Sequence, residues 1–224
     1  MKSLALGLVL AALPALWATP SRATPMLSLT LHENGYTDLT TSSATGSVGL
    51  GGSLGTFSFQ INGGVASPTS AGPTLQLASL DAATTLGGTL VVSLTLTGIT
   101  SPYGADIPWL SHFTSNSVSP DGYAISSHEQ TFLDLANTPY GQGTPLDSVT
   151  FADFDADESN QIRNVTIPPG TTYSETAVIT INASPKTSAS DTITVSPVPE
   201  PAGAAVLASA LLGLAMMQRR RRRG

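Results

Sequence analysis

Four acidic residues within six positions form the densest group of potential ligands in the sequence. Asp153, Asp155 and Asp157 alternate along the chain, and Glu158 follows directly. Hard divalent cations prefer clustered carboxylate oxygens, so the pattern predicts a calcium site at these three aspartates. It is not an EF-hand loop, because Glu158 stands where that loop needs glycine and Asn164 where it needs glutamate.

The alternative interpretation of this segment is a strand that ends in a solvated acidic face. Ala152, Phe154 and Ala156 would then turn inward while the carboxylates meet water. Apart from calcium, no cofactor is expected. The chain has no cysteine, which excludes disulfides and thiolate ligands.

The histidines and the serine motif give weaker indications of chemistry. His32, His112 and His128 are scattered, and we interpret them as hydrogen-bonded surface residues. The segment from Gly51 to Gly55 matches the G-x-S-x-G pattern of a nucleophile elbow. That chemistry needs a strand, a sharp turn and a helix, whereas here a flexible glycine-rich loop (46–55) is expected before a strand. We therefore predict that the protein is not an enzyme and has no catalytic residues.

Six of the thirteen aromatic residues fall between Ser101 and Gly143, a stretch with four prolines and little alternation. We interpret it as loops that either fold over an open end of the domain or form its binding face. Trp109 and Tyr123 could stack on sugar rings if they are exposed together. The favoured alternative is that these aromatics form core beneath the loops.

The C-terminus carries three sorting devices in succession. Two prolines around a glutamate keep the backbone extended and accessible. A charge-free span follows that is long enough to enter a bilayer as a short helix, and an arginine cluster that would stay cytoplasmic comes last. These parts are Val198, Pro199, Glu200 and Pro201; the helix at 202–217; and Arg219, Arg220, Arg221, Arg222 and Arg223.

This tripartite pattern resembles the PEP-CTERM sorting signal of exported bacterial proteins. The resemblance implies export, transient anchoring in the inner membrane and cleavage near Pro199 by an exosortase. It also implies that the product is displayed at the cell surface or released, in association with extracellular polysaccharide. The N-terminus agrees, because Lys2, an apolar run and Ser21-Arg22-Ala23 predict a helical signal peptide over 1–23 that signal peptidase removes.

The exported part is strongly acidic. Of the nine basic residues only Arg163 and Lys186 lie between the two signals, whereas all fifteen acidic residues except Glu200 lie there. Such a surface repels phosphates and cannot release counterions from DNA, so nucleic-acid binding is excluded.

Alternation of apolar and polar residues with a period of two is the main structural signal. It predicts eight or more strands and an all-β fold over 24–196, a two-sheet sandwich of jelly-roll or immunoglobulin-like type. A turn is expected at 184–190, and a linker and the sorting signal at 197–224. The strands are expected at Leu27–Leu31, Phe57–Ile61, from Leu75, Leu90–Thr97, Val149–Phe154, Arg163–Ile167, Thr176–Ile181 and Thr192–Val195.

The sequence thus predicts a secreted or surface-displayed, non-catalytic structural or interaction protein. Its expected partners are signal peptidase and exosortase as processing enzymes, the membrane through the C-terminal helix, and exopolysaccharide. The alternative is a carbohydrate-binding module, and a secreted hydrolase is less favoured because no acid–base pair stands out.

Overall fold

The computed structural model describes residues 24–69, 72–101, 106–152 and 156–198. The predicted signal peptide, the membrane helix and the arginine cluster lie outside these residues. Within them there is no helix, and therefore none that could cross a membrane. The twelve strands are β1 (Met26–Glu33), β2 (Leu39–Ser43), β3 (Ser47–Leu54), β4 (Phe57–Thr69), β5 (Gly72–Thr84), β6 (Gly88–Thr100), β7 (Asp106–Val118), β8 (Ile125–Asp134), β9 (Thr144–Ala152), β10 (Asp157–Thr166), β11 (Thr172–Ala183) and β12 (Thr187–Pro197).

The strands form two antiparallel sheets of six. Sheet I has the order β2-β1-β6-β11-β8-β9, and sheet II has the order β10-β7-β12-β5-β4-β3. When only strands β5 to β12 are counted, the strand order is β5-β12-β7-β10 in sheet II and β6-β11-β8-β9 in sheet I. The prediction of an all-β fold with two sheets is therefore confirmed. Of the two predicted types, jelly-roll and immunoglobulin-like, this strand order fits the jelly roll. The remaining strands extend each sheet by two.

The core is built from the residues that alternate in the sequence. On β1, Leu27, Leu29 and Leu31 are at most 1% exposed, while the residues between them face outward. Phe57, Phe59 and Ile61 on β4 are also buried, at most 6% exposed, as are Leu90, Val92 and Leu94 on β6. Burying one such side chain contributes about 1.5–3 kcal/mol, so these inner faces hold the sheets together.

Two β-bulges break the alternation while keeping the core continuous. Leu77 and Leu80 are three residues apart on β5, yet both are buried because Ala78 is an extra residue relative to both neighbouring strands. On β6, Leu96 and Ile99 are both buried because the strand bulges at Gly98, whose φ is +76°. Glycine adopts this backbone conformation without strain.

Three sequence predictions about this region of the fold were wrong. Residues 101–143 are not mainly loops, since they contain β7 and β8, which have neighbours on both sides. The segment 46–55 is not a flexible loop but contains strand β3, paired with β4 along its whole length. The turn before the last strand is shorter than 184–190, because β12 already begins at Thr187 and continues through Pro197.

One loop does fold over the sandwich, on the outer face of sheet I. The loop 135–143 covers Thr95 and Thr176. Both are fully buried although they lie on the outer side of their strands. Asp134 accepts hydrogen bonds from the backbone of Ala136 and from Thr138, which holds the pKa of Asp134 below its usual value. Gly98 N donates to Asn137 Oδ1 at 2.8 Å and fixes the loop to β6.

Candidate functional site

The predicted calcium cluster is only partly within the described residues. Asp153 and Asp155 lie outside them, and Asp157 is exposed at the start of β10, where its Oδ1 accepts a hydrogen bond from Glu158 N at 2.8 Å. Ala152 and Ala156 are exposed, so the expectation that these two alanines turn inward was wrong, and Phe154 lies outside the described residues. Across the described ranges, no three acidic or histidine side chains converge in a way that could hold a metal ion. Calcium at 153–157 remains a prediction.

The histidines are hydrogen-bonded surface residues, as predicted. His32 Nδ1 lies 2.7 Å from Asp38 Oδ1, and His112 Nδ1 lies 2.7 Å from Asn160 Oδ1. His128 Nδ1 lies 2.8 Å from Thr150 Oγ1. Each ring therefore serves to link neighbouring residues on the surface of a sheet.

The G-x-S-x-G match does not have the geometry of a nucleophile elbow. Ser53 is exposed near the end of β3, and its cross-strand partner is Ser58 on β4. A turn and strand β4 follow, whereas an elbow needs a helix at this point.

Trp109 belongs to the core and cannot stack on a sugar ring. It is 1% exposed and packs edge-on against Tyr173, with ring centroids 5.9 Å apart. Phe113 and Phe132 are buried as well, and Tyr123 is half-buried. The interpretation of these aromatics as core is therefore confirmed for Trp109, Phe113 and Phe132, and a platform built on Trp109 is excluded.

The outer surface of sheet II, which we call the polar face, carries hydrogen-bonding side chains on five of its strands. Its outward positions form rows of amides, hydroxyls and carboxylates across the strands. In register order these rows are Gln60-Asp81-Ser190-Asn116, then Asn62-Ser79 with Thr192-Thr114-Glu158, then Gln76-Thr194-His112-Asn160.

Side-chain hydrogen bonds order this face. Ser190 Oγ donates to Asp81 Oδ1 at 2.7 Å, and Asn62 Nδ2 donates to Ser79 Oγ at 3.2 Å. Thr114 and Thr192 join their hydroxyls at 2.7 Å. The donors and acceptors are thus held in fixed positions, which reduces the entropy lost when a ligand binds.

A shallow groove of about 430 Å³ crosses five strands of the polar face. Its polar lining comes from Ser58, Gln60, Asp81, Asn116, Ser188 and Ser190. The glycines of β3 shape this end of the face, since a Cβ on Gly51 would lie 2.5 Å from Gln60 Oε1. The Gln60 amide therefore extends across a position that only glycine leaves free.

A second polar group lies between the sheets and was missed in the sequence. Glu129 on β8 and Asp191 on β12 are both fully buried. Ser115 Oγ donates to Asp191 Oδ1 at 2.6 Å, and Ser127 Oγ donates to Asp191 Oδ2 at 2.9 Å. Neither carboxylate oxygen of Glu129 has a hydrogen-bond partner. The only sequence feature that could have indicated this pair is the series of polar residues at alternate positions of β8. Such a series is also typical of an exposed strand.

Burial dominates the electrostatics of this buried pair. Desolvation raises the pKa of Glu129 to about 9, and the nearby Asp191 adds to the shift. Desolvation also raises the pKa of Asp191, to about 6, although the two serine hydroxyls oppose it. The basic residues Arg163 and Lys186 are both exposed, and neither forms an ion pair with these acids in the described part of the protein.

Comparison with known proteins does not name a family for this all-β two-sheet sandwich. No protein-family model matches, and no curated protein matches either. Among solved structures the chain is similar to one described as "CBM4 structure and function", at 13% identity and a TM-score of 0.32, covering 69% of this chain and 96% of that one.

Two further solved structures are similar at comparable scores. The mannan-recognising carbohydrate-binding module TmCBM27 matches at 9% identity and TM-score 0.29, covering 69% of this chain and 90% of that one. An arabinose-bound α-L-arabinofuranosidase matches at 8% identity and TM-score 0.30, where the match covers 68% of this chain but only 23% of the enzyme. At such low scores these likenesses carry no argument about what this chain binds.

Proposed function

We propose that this protein is an exported, non-catalytic matrix protein whose polar face contacts extracellular polysaccharide. The observation that carries the proposal is the polar face itself, a wide array of ordered hydroxyl, amide and carboxylate groups whose rows contain no lysine or arginine. Polysaccharides offer many hydroxyls as both donors and acceptors, so a surface with both kinds of group matches them.

The strength of this contact follows from its chemistry. A hydrogen bond contributes about 0.5–1.5 kcal/mol net, so about four of them give an affinity on the order of 1 mM. The aromatic residue among those that line the groove, Phe59, is only 6% exposed, so it offers no open ring face for stacking. Binding to one short sugar chain would be weak, and a long polymer that meets many copies of the protein would bind by avidity.

Export and sorting form the second part of the proposal. Val198, the first residue of the predicted sorting motif, donates its N–H to Pro108 O at 2.8 Å. The Pro-Glu-Pro segment therefore follows directly in sequence on Val198, the last described residue after β12. We infer that signal peptidase removes 1–23 and that exosortase cuts next to the folded domain, leaving it at the surface or in the medium.

Co-sedimentation with the matrix polysaccharide of the producing cell tests the binding proposal. The variant Gln60→Ala/Asn116→Ala removes two amides from the polar face, and we expect it to lose at least half of the bound protein. The matched control Gln130→Ala/Asn182→Ala removes the same residue types from the outer side of sheet I and should bind like wild type. Equal losses in both variants, or in neither, would contradict the proposal.

A further inference from the structure

The buried pair of Glu129 and Asp191 lies among oxygen atoms from both sheets. On β8, Ser127 and Thr131 flank Glu129 on the same inner face. Ser127 bridges to Asp191 on sheet II, and the Thr131 hydroxyl lies 2.7 Å from the Ser111 hydroxyl on β7. Glu129 therefore sits between two hydrogen-bonded bridges that join the sheets.

This arrangement lacks a positive partner. Both oxygens of Glu129 are fully buried without a hydrogen bond, in contrast to Asp191, whose oxygens each accept one. A charged carboxylate buried without a partner is strongly unfavourable, and two close together are more so, so the pKa of Glu129 is raised and it keeps its proton near neutral pH unless a cation displaces it. Neither basic residue of the described chain is near enough to pair with them.

We propose that Glu129 and Asp191 bind a divalent cation of the calcium type between the two sheets. Two carboxylates match the double charge, and the hydroxyls of Ser115, Ser127 and Thr131 supply further oxygen atoms nearby. Calcium accepts six to eight oxygen ligands in flexible geometry, whereas magnesium demands a strict octahedron and keeps its waters, which a closed interior disfavours. The site is distinct from the predicted one at 153–157.

The expected effect is stabilisation, because a cation that binds only the folded form shifts the folding equilibrium. The melting temperature of the purified protein should rise by several degrees when chelator is replaced by millimolar calcium. Magnesium at the same concentration should have a smaller effect. Metal analysis after dialysis against calcium should give at least one calcium ion per chain.

Four variants locate the effect. Glu129→Gln and Asp191→Asn should each abolish most of the calcium-dependent shift. Glu175→Gln, which neutralises an equally buried glutamate elsewhere on the inner face of sheet I, should retain it. Asp155→Asn, in the predicted loop site, should retain it too. If Glu129→Gln fails to fold, Asp191→Asn provides the same test while keeping an oxygen acceptor for the serine hydroxyls.

The proposal is overturned by any of three results. The first is a wild-type melting temperature that is equal in calcium and in chelator. The second is a calcium shift that survives in both Glu129→Gln and Asp191→Asn. The third is a shift that is lost only in Asp155→Asn, which would place the ion at 153–157.

Discussion

Glu175, on the central strand β11, allows a direct test of how the core tolerates charge. The residue is fully buried beside Tyr173, and neither of its carboxylate oxygens forms a hydrogen bond of normal geometry. Desolvation raises the pKa of Glu175 well above its ordinary value, and the nearby backbone of Leu75 only partly offsets this. Replacing it by methionine keeps the length of the side chain and removes the polar group.

The direction of the effect follows from the raised pKa. The folded protein holds a proton on Glu175 that the unfolded chain releases. Burial of Glu175 therefore reduces the free energy of unfolding least at pH values below its pKa in the unfolded chain, near 4.5. Stability is lost as the pH rises from there towards the folded pKa, at up to about 1.4 kcal/mol per pH unit for one proton. At neutral pH, Glu175→Met should therefore stabilise the protein by about 1–3 kcal/mol, the cost of an unsatisfied buried polar group.

Urea unfolding across a pH series measures both quantities. The wild-type free energy of unfolding should fall with pH more steeply than that of Glu175→Met, so the two curves should lie closest together in acid. Leu133→Met, at the cross-strand neighbour of Glu175 on β8, is the control. It should cost less than about 1.5 kcal/mol and leave the pH slope unchanged. A Glu175→Met protein that is less stable than wild type at neutral pH, with the wild-type slope, would refute the reasoning.

Three further predictions follow from the same structure. Gly51→Ala should place a Cβ against the Gln60 amide, weakening polysaccharide binding while changing stability by less than about 1 kcal/mol, as co-sedimentation and urea unfolding would show. Trp109→Ala should destabilise the protein by about 3–5 kcal/mol, and a loss below about 1 kcal/mol would mean that the indole is not packed as described. Intact mass of the protein recovered from the medium and the cell envelope should give an N-terminus at Thr24 and a C-terminus within Pro199–Pro201. A product that still contains the terminal arginines would show a permanent anchor.

The sequence was sufficient for the fold class because most strands alternate regularly. The alternating leucines of β1 and the alternating apolar residues of β6 predicted strands with one buried face, and these side chains are buried in the structure. The pattern failed on β7 and β8, whose inner faces carry serines, a threonine and Glu129 alongside apolar residues. Such strands resemble exposed loops, because the burial of a polar side chain depends on partners from the opposite sheet.

The candidate sites were harder to predict for the same reason. The polar face is assembled from five strands that are distant in sequence, so no local motif marks it. The Glu129–Asp191 pair joins residues on β8 and β12 that only the jelly-roll order brings together. Gly49 and Gly51 led to the prediction that the segment 46–55 is flexible. In the structure they lie in β3, where the absence of a Cβ makes room for side chains of β4.

Nuclear magnetic resonance of the side-chain amides tests the central claim most directly. Purified ¹⁵N-labelled protein would be titrated with fragments of the matrix polysaccharide while the NH₂ signals of asparagine and glutamine are followed. We predict that the signals of Gln60, Asn62 and Asn116 on the polar face shift with added polysaccharide, whereas those of Gln130 and Asn182 on sheet I stay in place. Shifts confined to sheet I, or none on the polar face at saturating polysaccharide, would contradict the account.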